Sequence, residues 1–490
     1  MAFELETAKT DKQLRRIAID PVSRVEGHGK VTILLDDQGE VHQVRLHIVE
    51  FRGFERFIQG RPYWEVPVMV QRLCGICPVS HHLAASKALD LVVGARTLTK
   101  TAEKLRRLMH YGQILQSHAL HFFHLSSPDL LFGFGSDIAT RNVVGVAMAN
   151  PELARQGVLL RKFGQEVIRM TAGKRVHGTG SVPGGVNKCL TTKERDELLA
   201  PLAQITEWCQ AGVETIRALH EQNRALYDSF GMFRSNLLSL VGTDGRLDLY
   251  DGVLRARNAD GDIILDNLSP QNYRSEIKEE VKSWSYMKFP YLGFLGPDEG
   301  WYKVGPLARI QNCDIIHTPL AAFALQVFRE VHGQAIAHAP LAYHWARLIE
   351  MLHSAEVIGE LLHDEDLLKD DLTTSGERAS EGVGIIEAPR GTLIHHYRVD
   401  QNDVVTMCNL IVSTTHNNQA MNEAIRVVAK QYLRGHEPTE PLLNHIEVAI
   451  RAFDPCLSCA THALGQMPLT VEVVDPGGQV LGRLVRDASC

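Results

Sequence analysis

Two Cys-x-x-Cys pairs sit at opposite ends of this chain, and any fold it adopts has to account for both. The first lies in Arg72-Leu-Cys74-Gly-Ile-Cys77-Pro-Val-Ser-His81, the second in Asp454-Pro-Cys456-Leu-Ser-Cys459-Ala-Thr-His462. An i, i+3 spacing puts both sulfurs of a pair on one side of a turn, so four thiols can converge on one soft metal. From spacing alone, structural zinc and a catalytic metal are both open readings. Zinc pairs usually staple a small module, whereas here hundreds of residues of a 490-residue chain separate them. A thioredoxin-like dithiol accounts for only one of the two pairs. Nine cysteines is an odd count, and no apolar stretch follows the basic residues of 1–16, so a disulfide framework and a signal peptide are not expected.

The composition is that of a globular protein, with 44% hydrophobic and 22% charged residues, and length alone suggests two to four domains. A net charge of −7 argues against nucleic-acid binding. No apolar run reaches the length of a membrane span, and the cytoplasm is the expected compartment. Val31 to Leu35, then Asp37-Gln-Gly39, then Val44, Leu46 and Ile48 predict a β-hairpin. Helical spacing predicts helices over 80–93, 99–125 and 151–170. Thr191-x-x-Glu194 is a capping box opening a helix to about residue 227. Two Asp-Gly turns within 239–268 predict a small β-meander, and helices resume from Pro319 and from 340 to 362. The stretch 369–382 reads as an exposed loop. A hairpin carrying Pro389-Arg390 and residues 409–412 follows, then two helices leading to Asp454. There is no βαβ rhythm. The fold class is therefore mainly α with peripheral β (α+β), long helices carrying β-hairpins. No Gly-x-Gly-x-x-Gly follows a strand, and the remaining five cysteines are scattered, so neither a dinucleotide nor an iron–sulfur cluster has a site on this chain.

The residues around the cysteines narrow the choice. Together with Asp20-Pro-Val-Ser-Arg-Val-Glu26-Gly-His28-Gly, Phe51-Arg-Gly-Phe-Glu55 and Glu387-Ala-Pro-Arg-Gly391, the two cysteine stretches resemble the signatures of the nickel-iron hydrogenase large subunit. The resemblance runs from about residue 17 to the end. Trp284-Ser-Tyr-Met-Lys-Phe-Pro-Tyr291, and Arg398 after His395-His-Tyr397, look most like the soluble, NAD(P)-linked, bidirectional branch. The resemblance implies one continuous domain around a central helix bundle over 17–462, preceded by a flexible extension over 1–16.

The resemblance also implies roles. Heterolytic cleavage of dihydrogen calls for a soft metal to accept an electron pair and a base to take the proton. Cys74 and Cys456 would be terminal nickel ligands, with Cys77 and Cys459 bridging nickel to an iron that carries carbon monoxide and two cyanides. Thiolates suit both metals. Glu26 would relay the proton; the alternative is a structural pair with Arg24. Arg390, after Pro389, would set its donors over the metals, and Thr414 would offer a hydroxyl to a cyanide. Ser413 and His416 depart from the family pattern there, which has Pro and Trp. Asp454 and Asp129 would lie near Arg390, or else cap helices. His81 would donate to a bridging sulfur, or else be a satisfied core histidine. Glu55 and His462 would hold a second, hard cation, magnesium.

Electrons would leave for NAD(P) through two partners, first an iron–sulfur small subunit, then a flavin-containing diaphorase module. The last segment, 463–490, carries a hairpin signal over 469–485. In the family such an extension is removed after the last His by an endopeptidase once nickel is loaded with the help of a maturation chaperone. The sequence with its tail is thus expected to be the precursor. The competing readings are a metal-free scaffold like the quinone-reducing subunit of respiratory complex I, which lacks the cysteine pairs, and a zinc-stapled interaction protein.

Overall fold

The computed structural model describes residues 15–36, 38–48, 50, 52–433, 439–461, 469–474 and 480–486, the last two segments as backbone only. Its centre is a set of long helices, Lys100–Leu120, Pro151–Ala172, Leu202–Gln222 and Ala342–Leu362, packed on one another. Each of the first two starts where the sequence places it. Thr99 caps one by accepting from Ala102 N–H, and Pro151 opens the next at a position where a missing N–H costs nothing. They approach closely because Gly112 and Gly164 face each other, and a Cβ on either would run into the opposite helix.

Two helices differ from the sequence-based expectation. The Thr191–Glu194 capping box forms, but the helix it opens, Thr192–Leu199, stops at Pro201, and the expected single helix becomes three segments, continuing as Leu202–Gln222 and Arg224–Ser229. The helix from Thr99 also changes pitch, passing into a π-turn over His121–Ser126. The widened turn lets His121 Nε2 reach the Arg451 carbonyl at 2.7 Å.

The first hairpin, Gly29–Leu35 with Val41–Ile48, pairs Val31 with Leu46 and gains a third strand, Arg15–Ile19. The meander, Asn236–Val241, Val253–Arg257 and Ile263–Leu268, is antiparallel, with a short parallel strand, Tyr302–Lys303, added at its edge. The third sheet is not peripheral. Glu381–Ala388 and Gly391–Val399 are buried along nearly their whole length, with Val405–Ile411 beside them. The Pro78–Val92 helix lies on this sheet, and Gly384 permits it, since a Cβ there would strike the backbone of Ala84 and Ala88. The first cysteine pair, at the head of that helix, is thereby held against the Pro389–Arg390 turn. The tail strands, Leu469–Val474 and Val480–Arg486, pair antiparallel as expected.

Candidate metal centre

The two ends of the chain meet. Cys74, Cys77, Cys456 and Cys459 are all buried, and their sulfurs lie within 4.8 Å of one another. Closing so long a loop costs chain entropy, and specific contacts offset it. Glu26 and Cys456 form a parallel bridge, and Leu457 N–H donates to the Glu26 carbonyl at 3.0 Å. Arg52 N–H donates to the Thr461 carbonyl at 3.1 Å. The helix Glu440–Ala452 delivers the second pair by a sharp turn in which Asp454, a non-glycine, adopts φ of 52°. Such strain is held only where surroundings enforce it. Here Arg347 donates to the Ala452 carbonyl at 3.0 Å, and Arg390 Nε donates to the Asp454 carbonyl at 2.6 Å.

The sulfurs are electrostatically prepared for a cation. Ile76 and Cys77 N–H groups point at Cys74 Sγ at 3.2 and 3.1 Å. Hydrogen bonding from Cys456 above all holds the Cys77 thiol well below its usual range, with a smaller contribution from His81. Burial pushes Cys456 and Cys459 well above theirs. Four buried sulfurs this close can all be thiolates only with a positive charge among them, so the set suits a metal.

Beside the sulfurs is a small cavity lined by Cys77, His81, Pro389, Arg390, Thr414 and Cys456, among others. Arg390 pairs with Asp454 at 3.2 Å, as expected, but its Nη1 is buried without a partner. Thr414 accepts the Cys456 N–H at 2.9 Å, which leaves its own hydroxyl proton to donate. An orphaned guanidinium donor and a hydroxyl on one cavity fit small anionic ligands on a metal at the sulfurs. Ser413, a departure from the family pattern, tethers the turn by donating to the Gly391 carbonyl at 2.6 Å. His416, the other, bonds Tyr302 at 2.7 Å, and burial pushes its pKa down to about 3.

Glu26 reaches a sulfur of the second cysteine pair. Cys456 Sγ is 2.9 Å from its Oε2, which also receives Ser458 N–H at 3.2 Å, while the Ser458 hydroxyl donates to Oε1. The alternative pairing with Arg24 does not form. Arg24 instead reaches Asp129 at 2.6 Å. Asp129 is therefore not a partner of Arg390. It receives Arg24, Arg451 at 3.0 Å and Asn444 at 3.1 Å, a buried clamp that fixes the segment leading to Glu26. His81 lies 3.1 Å from His395, which in turn lies 2.6 Å from Tyr397. Glu55 is buried and accepts Leu410 N–H at 2.8 Å. His462 lies outside the described residues, but Thr461 is tied to Arg52, three residues before Glu55.

Sequence reasoning missed two functional supports. Ser458, inside the second Cys-x-x-Cys, is the hydrogen-bond partner of Glu26, and its place between the two ligands was the signal. Arg309 left no local signal. Fully buried, it donates to the Ala388 and Pro389 carbonyls at 2.7 and 3.2 Å and pairs with Glu387 at 3.0 Å and Glu350 at 2.6 Å. It clamps the turn that carries Arg390.

Comparison with known proteins gives the same picture. A family model described as nickel-dependent hydrogenase matches residues 52–132 and 257–462, and one described as HoxL-like matches 16–51. The chain is 49% identical over 487 residues to the NAD-reducing hydrogenase HoxS subunit beta of Cupriavidus necator, covering 96% of this chain and 100% of that protein. It is 42% identical over 477 residues to a chain of the F420-non-reducing hydrogenase of Methanothermobacter thermautotrophicus, covering 96% and 100%. A crystal structure of an NAD+-reducing [NiFe]-hydrogenase in the H2-reduced state superposes with a TM-score of 0.91 at 60% identity, over 92% of this chain and all of that one.

Proposed function

The chain belongs to the nickel-dependent hydrogenase family, and from that premise we propose that it is the catalytic subunit of an enzyme that reversibly splits dihydrogen and passes the electrons on to NAD(P). The observation that carries the reading is the convergence of four buried cysteines with Glu26 at 2.9 Å from one of them. The scaffold and zinc readings have no comparable support.

Cys74, Cys77, Cys456 and Cys459 would hold a nickel-iron group, and Arg390 and Thr414 beside them would donate to its small ligands, carbon monoxide and cyanides. When bound, that group supplies the Lewis acidity and the two-electron redox step. The protein's own residues handle the proton. Cys456 Sγ takes it from the reacting centre and passes it to Glu26 Oε2, and the Ser458 hydroxyl at Oε1 keeps the carboxylate turned toward the sulfur. Arg390 fixes the small ligands by its free donor. Glu55 and the residue after Thr461 would take a magnesium ion.

The reaction, H2 + NAD(P)+ → NAD(P)H + H+, needs a path for electrons off this chain. We assign it to a diaphorase module reached through an iron–sulfur small subunit. The exposed Phe57, Trp64 and Val68, on the segment leading into Cys74, suit such a docking face. No helix among the described residues is long and apolar enough to cross a membrane. Residues 463–490 form the segment removed on maturation in this reading, which the end of the family match at residue 462 supports; a chaperone and an endopeptidase would act on the precursor. The experiment is hydrogen-dependent NAD(P) reduction by the reconstituted heteromer and by the single chain. The heteromer should turn over and the single chain should not. Reduction by the single chain would overturn the assignment of partners.

A further inference from the structure

A second cluster of metal-ligating side chains lies on elements that do not build the cysteine centre. We propose that His220, Asp228 and His332 form a binding site for one divalent ion of the zinc, cobalt and nickel class. His220 stands at the end of the Leu202–Gln222 helix, Asp228 in the short Arg224–Ser229 helix, and His332 caps Pro319–Val331. One donor atom from each lies within 4.8 Å of the others. Ligands at ~2.0 Å on a tetrahedron are ~3.3 Å apart, so a small closure seats an ion.

The ring chemistry favours a metal over a simple ion pair. His332 Nδ1 lies 2.8 Å from the carbonyl of Phe328. A nitrogen donating to a carbonyl carries the proton, which leaves the lone pair on Nε2. That hydrogen bond is the usual lock behind a metal-bound histidine. His220 is 3% exposed and its Nε2 is 2.8 Å from Asp228 Oδ1. Its Nδ1 is buried without a partner. A His–Asp hydrogen bond alone would leave the His332 lone pair unused, whereas an ion takes all three donors. Two imidazoles and one carboxylate suit zinc, cobalt or nickel and not calcium or magnesium. The Asp228 side chain is 42% exposed, so the remaining coordination position opens to water. Arg224 Nε, 3.4 Å from the other carboxylate oxygen, orients the carboxylate. The ion would pin three helix ends together, a brace on the side of the bundle that carries the Ala342–Leu362 helix through Trp345.

Trp345 makes the site observable. Its ring is 5.4 Å from His220 and 6.0 Å from His332, within reach of quenching by an open-shell ion. The test is titration of the purified full-length chain with Co2+, read by tryptophan fluorescence and by visible absorption, in wild type, His332→Gln and Asp228→Asn. Both variants alter partly exposed residues, and circular dichroism checks that they fold. Wild type should show a saturable quench with nitrogen/oxygen-type cobalt bands, separate from the sulfur-to-cobalt charge-transfer band of the cysteine set. Each variant should weaken that quench by about tenfold or more and leave the charge-transfer band unchanged. An identical quench in wild type and both variants, or none in wild type, would overturn the site. The quench and its loss in the variants do not depend on whether the cysteine centre holds nickel and iron; the charge-transfer band is the control on chain in which that centre is empty.

Discussion

Arg309→Met would show how the turn carrying Arg390 is held. Arg309, Glu350 and Glu387 are all fully buried. The guanidinium meets Glu350 through two contacts of 2.6 Å and Glu387 through one of 3.0 Å. Burial alone would raise the Glu350 pKa; the Arg309 charge instead brings it from 4.5 down to about 2. A carboxylate so depressed contributes about 3 kcal/mol. That contribution is fully present above pH 4.5 and lost as pH falls through 2. Deleting one partner of a buried pair independently costs about 3–5 kcal/mol, so the two routes agree. In the variant, His118 remains hydrogen-bonded to Glu350 at 3.0 Å, without the two charged contacts that Arg309 supplied. Three kcal/mol is a factor of about 150 in an opening equilibrium. Hydrogen exchange at pH 7, read on peptides spanning 305–312 and 384–392, should therefore lose about 100-fold of its protection. Nickel content should fall with it, because the displaced turn no longer presents Arg390 to the cavity. Protection within about threefold of wild type would refute the clamp.

Glu26→Gln keeps the shape but cannot cycle a proton. Exchange between H2 and deuterated water should drop by about 10²–10⁴ at normal metal content; a collapse of metal content would make Glu26 structural. Cys459→Ser removes the thiolate proposed to bridge the two metals, and the variant should bind little or no nickel and take up no hydrogen; wild-type nickel content would sink the ligand assignment. A chain ending at His462 from the start should load nickel poorly if residues 463–490 serve metal insertion. Loading equal to that of the processed protein, without the endopeptidase, would show that the tail has no part in it.

What could be read from the sequence was local or carried by recognisable words. Thr99, Pro151 and the Thr191–Glu194 box set helix starts because capping is satisfied within a few residues. The cysteine words placed four ligands that the fold then gathered. At Pro201 the apolar spacing continues across the break, so periodicity alone does not mark the end of the first segment. The π-turn at His121–Ser126 has no pattern of its own. It answers to Arg451, which is remote in sequence. Charge partnerships were the least legible. Asp129 was expected near Arg390, yet three other arginines, Arg24, Arg141 and Arg451, take it. Arg309 could not be told from any helical arginine until the buried turn it serves was in place. The burial of Glu381–Ala388 and Gly391–Val399 was missed for a related reason. His395, His396 and the glycines make those strands look half-exposed, and only the Pro78–Val92 helix lying on them explains their content.

The central claim is that four cysteines from the two ends of the chain hold nickel and iron, with small ligands in the cavity beneath Arg390 and Thr414. Infrared absorption in the window between protein and water bands, taken on the mature protein alongside elemental analysis, tests it most directly. Carbon monoxide and cyanide bands, with nickel and iron in equal amounts at the centre, are the predicted result. A protein that carries zinc at these cysteines and shows no band in that window would contradict it.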